Sequence, residues 1–398
     1  MGHVMSRPDI IVVGAGVFGL TAALSLAERG HQVQVLDPGP IPHPLASSTD
    51  ISKVVRSDYG PDRQYARLAE QARAGWKNWN ESLFERELYH EVGVLLLSGK
   101  PIAPGSFEYE SYQVMSGFRQ DLMRLDADQI PSQFPMWRES GYVDGYLNPG
   151  AGYVESGNVV AALAQRASKL GIRLEQGVKV VKKNQHAGRV GNLLDVAGNS
   201  YEAERVLVAA GAWTPGLVPS LKDKMKIVGQ PVFHLSPAHP EPFEARQFPV
   251  FTADVSETGW YGFPYHPHER VVKLGNHGAG TLIHPDEGER VVSNGIRNEL
   301  RRFLSRRLPA LADARTVYTR LCLYCDTIDE HFWIGEEPDV SGLFVAAGGS
   351  GHGFKFAPVL GGLIADAVER IENPELTRFG WREFRVNAAG EEAARFHG

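Results

Sequence analysis

Gly14, Gly16 and Gly19, with an acid at Asp37, form the first set of residues in the chain whose types and spacing could do chemistry. Glycines at that spacing, with Val17 and Phe18 between them, let the backbone approach a pyrophosphate at the N-terminus of the helix that follows, and Asp37 can accept hydrogen bonds from a ribose. Such a loop leaves open whether the dinucleotide is NAD or FAD. Near the other end of the sequence, Gly348-Gly349-Ser350-Gly351-His352-Gly353-Phe354-Lys355-Phe356 is a second glycine-rich loop, with a histidine and a lysine among small residues. Between them stand two more candidates. Lys273 lies inside the apolar run Val272-Lys273-Leu274-Gly275, where a lysine is costly unless it faces a cavity or partner or snorkels from an edge strand. Cys322 and Cys325 flank Tyr324. If 320–325 is extended, Cys322 and Tyr324 share one face and Cys325 takes the other. The spacing of the pair fits a redox dithiol, half of a zinc site or an inert buried thiol; the absence of a second cysteine pair argues against a metal site.

These residues need elements to hold them. Ile10 to Val13 reads as a buried parallel strand, Leu20 to Glu28 as a helix ending at Gly30, and His31 to Leu36 as a strand that delivers Asp37. Residues 86 to 147 are richer in aromatics and prolines and lack this rhythm. It returns with a helix at Asn158 to Leu170, strands at Ile172 to Val181 and Asn192 to Val196, and Arg205 to Thr214 as a strand breaking at Gly211. Pro231 to Leu274 alternates like an antiparallel sheet. Gly342 to Ala346, the second glycine loop and a helix from Pro358 to Ile371 close the pattern. The fold class expected is α/β in two discontinuous domains. A Rossmann-like dinucleotide domain takes 1–85, 148–222 and 318–382, an antiparallel-sheet substrate domain takes 86–147 and 223–317, and 383–398 is a C-terminal tail.

The whole composition narrows the partners. The 398 residues carry 41 basic and 47 acidic side chains, a net charge of -6, and the basic runs at Lys222 to Lys226 and Arg301 to Arg307 are interrupted, which argues against a nucleic-acid partner. Residues 10 to 27 are uncharged over 18 positions but contain three glycines, so they read as strand, turn and helix rather than a membrane span. Two cysteines suggest a reducing, cytoplasmic compartment, and a monomer is expected.

Gly14 to Gly19, Leu207 to Thr214, Thr319-Arg320-Leu321-Cys322-Leu323-Tyr324 and Gly351-His352-Gly353-Phe354-Lys355-Phe356 together resemble the D-amino-acid-oxidase superfamily of FAD amine oxidases. Within it they are most similar to the branch of monomeric sarcosine, fructosyl amino acid and saccharopine oxidases, over about residues 8 to 385. The resemblance implies FAD, gripped also by Ala210, Gly211 and Trp213, by Gly351, Gly353, Phe354 and Lys355, and by a loop holding Ser47, Ser48, Ser52 and Lys53. It implies an 8α-S-cysteinyl link through Cys322. Arg56 and Lys355 would share the substrate carboxylate, with Tyr261, His277 and Tyr324 in the pocket, and Lys273 would stabilise superoxide as electrons pass to oxygen.

The implied reaction oxidises a C–N bond of a secondary amino acid to an imine that hydrolyses, with O2 reduced to H2O2. Lys53, Ser48 and Thr49 depart from sarcosine oxidases, and Lys53 with Asp326-Thr327 leans towards fructosyl amino acid and saccharopine or pipecolate oxidases. His277 speaks against a sugar adduct. An NAD-dependent dehydrogenase and a non-catalytic flavoprotein are the rival readings.

Overall fold

In a computed structural model of the chain, which describes residues 7–287, 289–384 and 389–397, two sheets divide the labour. The first has six strands in the order Trp333–Glu336, Leu343–Ala347, Arg205–Val208, Ile10–Val13, Val33–Asp37 and Arg173–Gln176. All pair in parallel except the first, which is antiparallel to Leu343–Ala347. The centre strand Ile10–Val13 is wholly buried because helices cover both faces of a parallel sheet, and its unbroken apolar run reflects that. Helix Val17–Glu28 follows at once and packs between helices Ala357–Glu369 and Ser156–Lys169. It stops where Gly30 takes φ of +98°, a conformation glycine adopts without strain.

The second sheet has nine strands and is antiparallel apart from the pairing of Val250–Ala253 with Val94–Ser98. Its aromatic-rich core gathers Trp137, Phe233, Phe248, Phe251 and Trp260. Strands Val94–Ser98, Met123–Asp126 and Asp144–Asn148 belong to it, so the segment without α/β rhythm supplies one edge of this sheet. The domain edge expected at 318 falls inside strand Arg315–Thr327, which is hydrogen-bonded to Met225–Ser236 in this second sheet over its full length. Long antiparallel pairing holds that strand as one piece, and Cys322, opposite Gln230, thus reaches the site from the substrate sheet.

Arg63–Ser82 forms a 20-residue helix, capped by the Asp62 carboxylate on the Tyr65 N–H. It buries Tyr65, Ala66, Leu68, Ala69, Ala72 and Trp76, and the Trp76 indole donates to the Lys355 carbonyl at 2.7 Å, tying the helix to the second glycine loop. Among the described residues no helix is long and apolar enough to cross a membrane.

Candidate functional site

The first glycine loop is set by backbone crowding. A Cβ on Gly14, which has φ of +106°, would lie 2.5 Å from the Ala209 carbonyl oxygen, and one on Gly19 would lie 1.9 Å from that of Gly14. Neither contact can relax by a side chain moving aside. Ser48 Oγ accepts the Val17 N–H at 3.0 Å, and both Asp37 oxygens accept backbone N–H groups, from Ala15 at 2.8 Å and Gly39 at 3.0 Å. The second loop meets the first at Phe18: a Cβ on Gly353 would come within 2.8 Å of its ring. Gly351 has φ of +77° and sits under the Tyr324 ring, where a Cβ would be 2.2 Å away. Trp213 lies to one side, its indole donating to Asp286 at 3.0 Å.

Below the loops the chain concentrates buried charge. Lys273 is 1% exposed and pairs with Asp50 at 2.7 Å, while its ammonium also donates to the Ser52 carbonyl and sits 4.7 Å over the Phe263 ring. Burial pushes the lysine down to about 8 in spite of Asp50. Burial likewise opposes ionisation of Asp50, but Lys273, then His234, Lys53 and Arg320, hold its carboxyl well below the ordinary range. Lys53 Nζ and Arg320 Nη2 each stand 3.8 Å from Cys322 Sγ. They outweigh burial and lower its pKa, the condition for a reactive thiolate. Cys325 points the other way, against the Met225 sulfur, and burial raises its thiol to about 12. The two cysteines therefore face opposite sides of one strand, and neither is in a disulfide.

The remaining candidates converge on one narrow cavity of about 60 Å³, which Lys53, Arg56, Tyr261, His277, Tyr324, Gly351, Phe354 and Lys355 line. Lys355 donates to the Tyr59 hydroxyl at 2.8 Å; Tyr59 lies 3.0 Å from His352 Nδ1, and His352 Nε2 lies 3.0 Å from the Glu330 carbonyl. That order makes Nε2 the protonated nitrogen of a neutral ring, in keeping with burial pushing His352 down to about 3. Burial, then the neighbouring Arg56 charge, holds Lys355 well below the usual lysine range. Arg56 is 5% exposed and has 3.6 Å to Glu392, an acid in the C-terminal residues, which also bonds His277. A larger cleft of about 490 Å³ elsewhere, beside Phe233 and Ala314, contains none of these residues.

Sequence reasoning passed over Asp50, Arg320, Glu392 and His234. Arg320 stands within the Thr319 to Tyr324 motif and Asp50 within the loop that holds Ser48 and Ser52, each a charge close to candidate residues. Glu392 sits in a Gly-Glu-Glu run that reads as a solvated tail, so only the fold reveals it.

The family described as DAO, FAD dependent oxidoreductase, matches residues 9–367. The chain belongs to that family. It is 29% identical over 368 residues to a monomeric sarcosine oxidase of Bacillus sp. (strain B-0618), covering 90% of this chain and 91% of the relative. Against L-saccharopine oxidase of Schizosaccharomyces pombe it is 28% identical over 404 residues, covering 92% and 90%. The fructosamine oxidase of Aspergillus fumigatus, Amadoriase II, superposes with a TM-score of 0.83 at 25% identity, over 99% of this chain and 94% of that one.

The residues present fit the FAD of a DAO-family enzyme. Gly14 and Gly19 admit no side chain, helix Val17–Glu28 has no side-chain cap of its own at Gly16, and the two glycine loops adjoin at Phe18. The Ser52 hydroxyl is buried with no hydrogen-bond partner beside Lys53, a group ready for a ring heteroatom.

Proposed function

We propose that this DAO-family enzyme oxidises the C–N bond of a secondary, N-substituted amino acid, and that the cavity beside Arg56 and Lys355 receives the substrate carboxylate. The observation that carries this reading is a fully buried guanidinium and a buried lysine lining one cavity, with Arg56 Nη1 lacking any hydrogen-bond partner. A buried guanidinium with one nitrogen free to donate matches a carboxylate. When bound, FAD supplies the two-electron acceptor, and in an oxidase O2 restores it with release of H2O2.

The protein's own groups do the rest. Arg56 and Lys355 fix the carboxylate end of the substrate, and Tyr261, His277 and Tyr324 wall the cavity around its amine. A bound carboxylate favours the charged form of Lys355, against the burial and the Arg56 charge that lower its pKa. Lys273, held by Asp50, places a positive charge where an anion forms on oxygen, and preorganised charge aimed at a developing anion is the strongest lever available here. Asp37, Ser47, Ser48, Ala210, Gly211 and Trp213 are assigned to the dinucleotide. The activated thiol of Cys322, with Lys53 and Arg320 beside it, supports an 8α-S-cysteinyl tether. The flavin part is read as 1–85, 148–222 and 328–382, with strand Arg315–Thr327 given to the substrate part. Two thiols outside any disulfide suit a reducing, cytoplasmic setting.

An anaerobic flavin-bleaching screen over sarcosine, N-methyl amino acids, pipecolate, proline, saccharopine and fructosyl amino acids tests the reaction. Bleaching by a secondary amino acid and none by its ester is the expected result. Acid precipitation tests the tether: the pellet stays yellow and Cys322→Ser releases the colour, whereas a yellow wild-type supernatant rejects the link.

A further inference from the structure

The C-terminal residues 389–397 pack behind the cavity, against its lining residue His277. Arg395 is buried, pairs with Asp326 at 2.6 Å and donates to the Gly278 carbonyl at 3.1 Å, while the Phe396 N–H donates to the His277 carbonyl at 3.0 Å. These contacts leave Glu392 with little freedom. Its backbone N–H donates to Glu330 at 3.1 Å, one carboxylate oxygen bonds His277, and the other stands 3.6 Å from Arg56 Nη2 with no hydrogen-bond partner. Burial opposes its charge, yet the His277 hydrogen bond and the Arg56 guanidinium favour the ionised carboxylate and hold it well below the ordinary range.

Resting on the assignment of Arg56 to the substrate carboxylate, the geometry points to Glu392 as a built-in competitor, a carboxylate on the chain's own C-terminal strap that an incoming carboxylate must displace from Arg56. The separation of 3.6 Å is too long for a hydrogen bond, so the pair is an ion pair with an unfilled fork rather than a closed bidentate contact. Arg56 is thereby kept charged and oriented without being satisfied. Glu392 consequently sets which anions the site accepts: a simple carboxylate competes poorly, and a substrate with further contacts to Tyr261 and Tyr324 wins.

The test uses the FAD-loaded enzyme and acetate as probe, with binding read from the perturbed flavin absorbance. Glu392→Gln keeps the shape and a hydrogen-bond acceptor for His277 while removing the competing charge; it should tighten acetate at least about tenfold. Glu392→Asp, which keeps the charge on a shorter arm, should fall between the two. Acetate affinity unchanged or weakened in Glu392→Gln, with the flavin still bound, overturns the assignment of Glu392. Arg56→Met decides the underlying reading separately: it should abolish acetate binding in both backgrounds, and if parent and Arg56→Met chains bind acetate equally, the carboxylate site itself is misplaced and the competitor falls with it.

Discussion

The cradle for the dinucleotide and the cavity for the substrate stand side by side but are built from different materials. The cradle is backbone: Gly14, Gly19, Gly351 and Gly353 are defined by what a Cβ would strike, and its polar contacts are N–H groups at a helix start. The cavity and the charged pocket beside it are side chain: Arg56 and Lys355 line the cavity, Lys273 and Cys322 are buried next to its Phe263 and Lys53, and Lys273 and Arg56 find their acids far away in sequence at Asp50 and Glu392. A backbone site tolerates no added atom, while a side-chain site tolerates atoms but not changes of charge. That difference predicts how each should fail.

Gly19→Ala should have the largest effect. Its Cβ meets a carbonyl oxygen at 1.9 Å, so the loop must open, and the purified protein should be colourless or lose FAD on gel filtration. A variant that keeps stoichiometric flavin would erase the contrast with the cavity. Lys273→Met comes next. It should slow reoxidation of the reduced enzyme by ~10²–10³ and leave anaerobic reduction by substrate nearly unchanged, as stopped-flow measurement of the two half-reactions would show. Loss of reduction instead would move Lys273 from the oxygen step to the substrate pocket.

The smallest effect is a slope. Lys355 is held below its ordinary pKa by burial and by Arg56, and a bound carboxylate favours its charged form. Binding therefore takes up a proton. Carboxylate affinity should be strongest at low pH and fall by up to about tenfold per unit as pH rises past the free-site pKa, until the complex itself deprotonates. Calorimetry in buffers of different ionisation enthalpy would detect the uptake, and Lys355→Met should abolish it. A pH-independent affinity in the parent chain would mean Lys355 is already charged when the cavity is empty.

Legibility follows the same division. The glycine loops, the strand that delivers Asp37 and the opposite facing of Cys322 and Cys325 follow from local rules of period and conformational freedom, and the structure places them as those rules require. The helix Arg63–Ser82 carried a readable signal, with Tyr65, Leu68, Ala69, Ala72 and Trp76 at helical spacing behind an Asp62 cap. The partners of the buried cations were not readable, because Asp50 lies 223 positions before Lys273 and Glu392 lies 336 after Arg56, and nothing local marks either. The pairing of the strand around 318 was unreadable for a related reason: composition cannot say to which sheet a strand's hydrogen bonds go.

The position of Ile10–Val13 at the middle of its sheet has a consequence for how the molecule is made. Its two neighbours are Val33–Asp37, available almost at once, and Arg205–Val208, which must in turn be flanked by Leu343–Ala347. With synthesis at about 5–20 residues per second, the first strand waits tens of seconds before the ribosome delivers that outer strand and the helix that covers it. Throughout that interval an apolar four-residue segment and its helix lack their roof. Newborn chains are thus most vulnerable to misassociation before Leu343–Ala347 and helix Ala357–Glu369 have emerged, and the dinucleotide can be captured only after that.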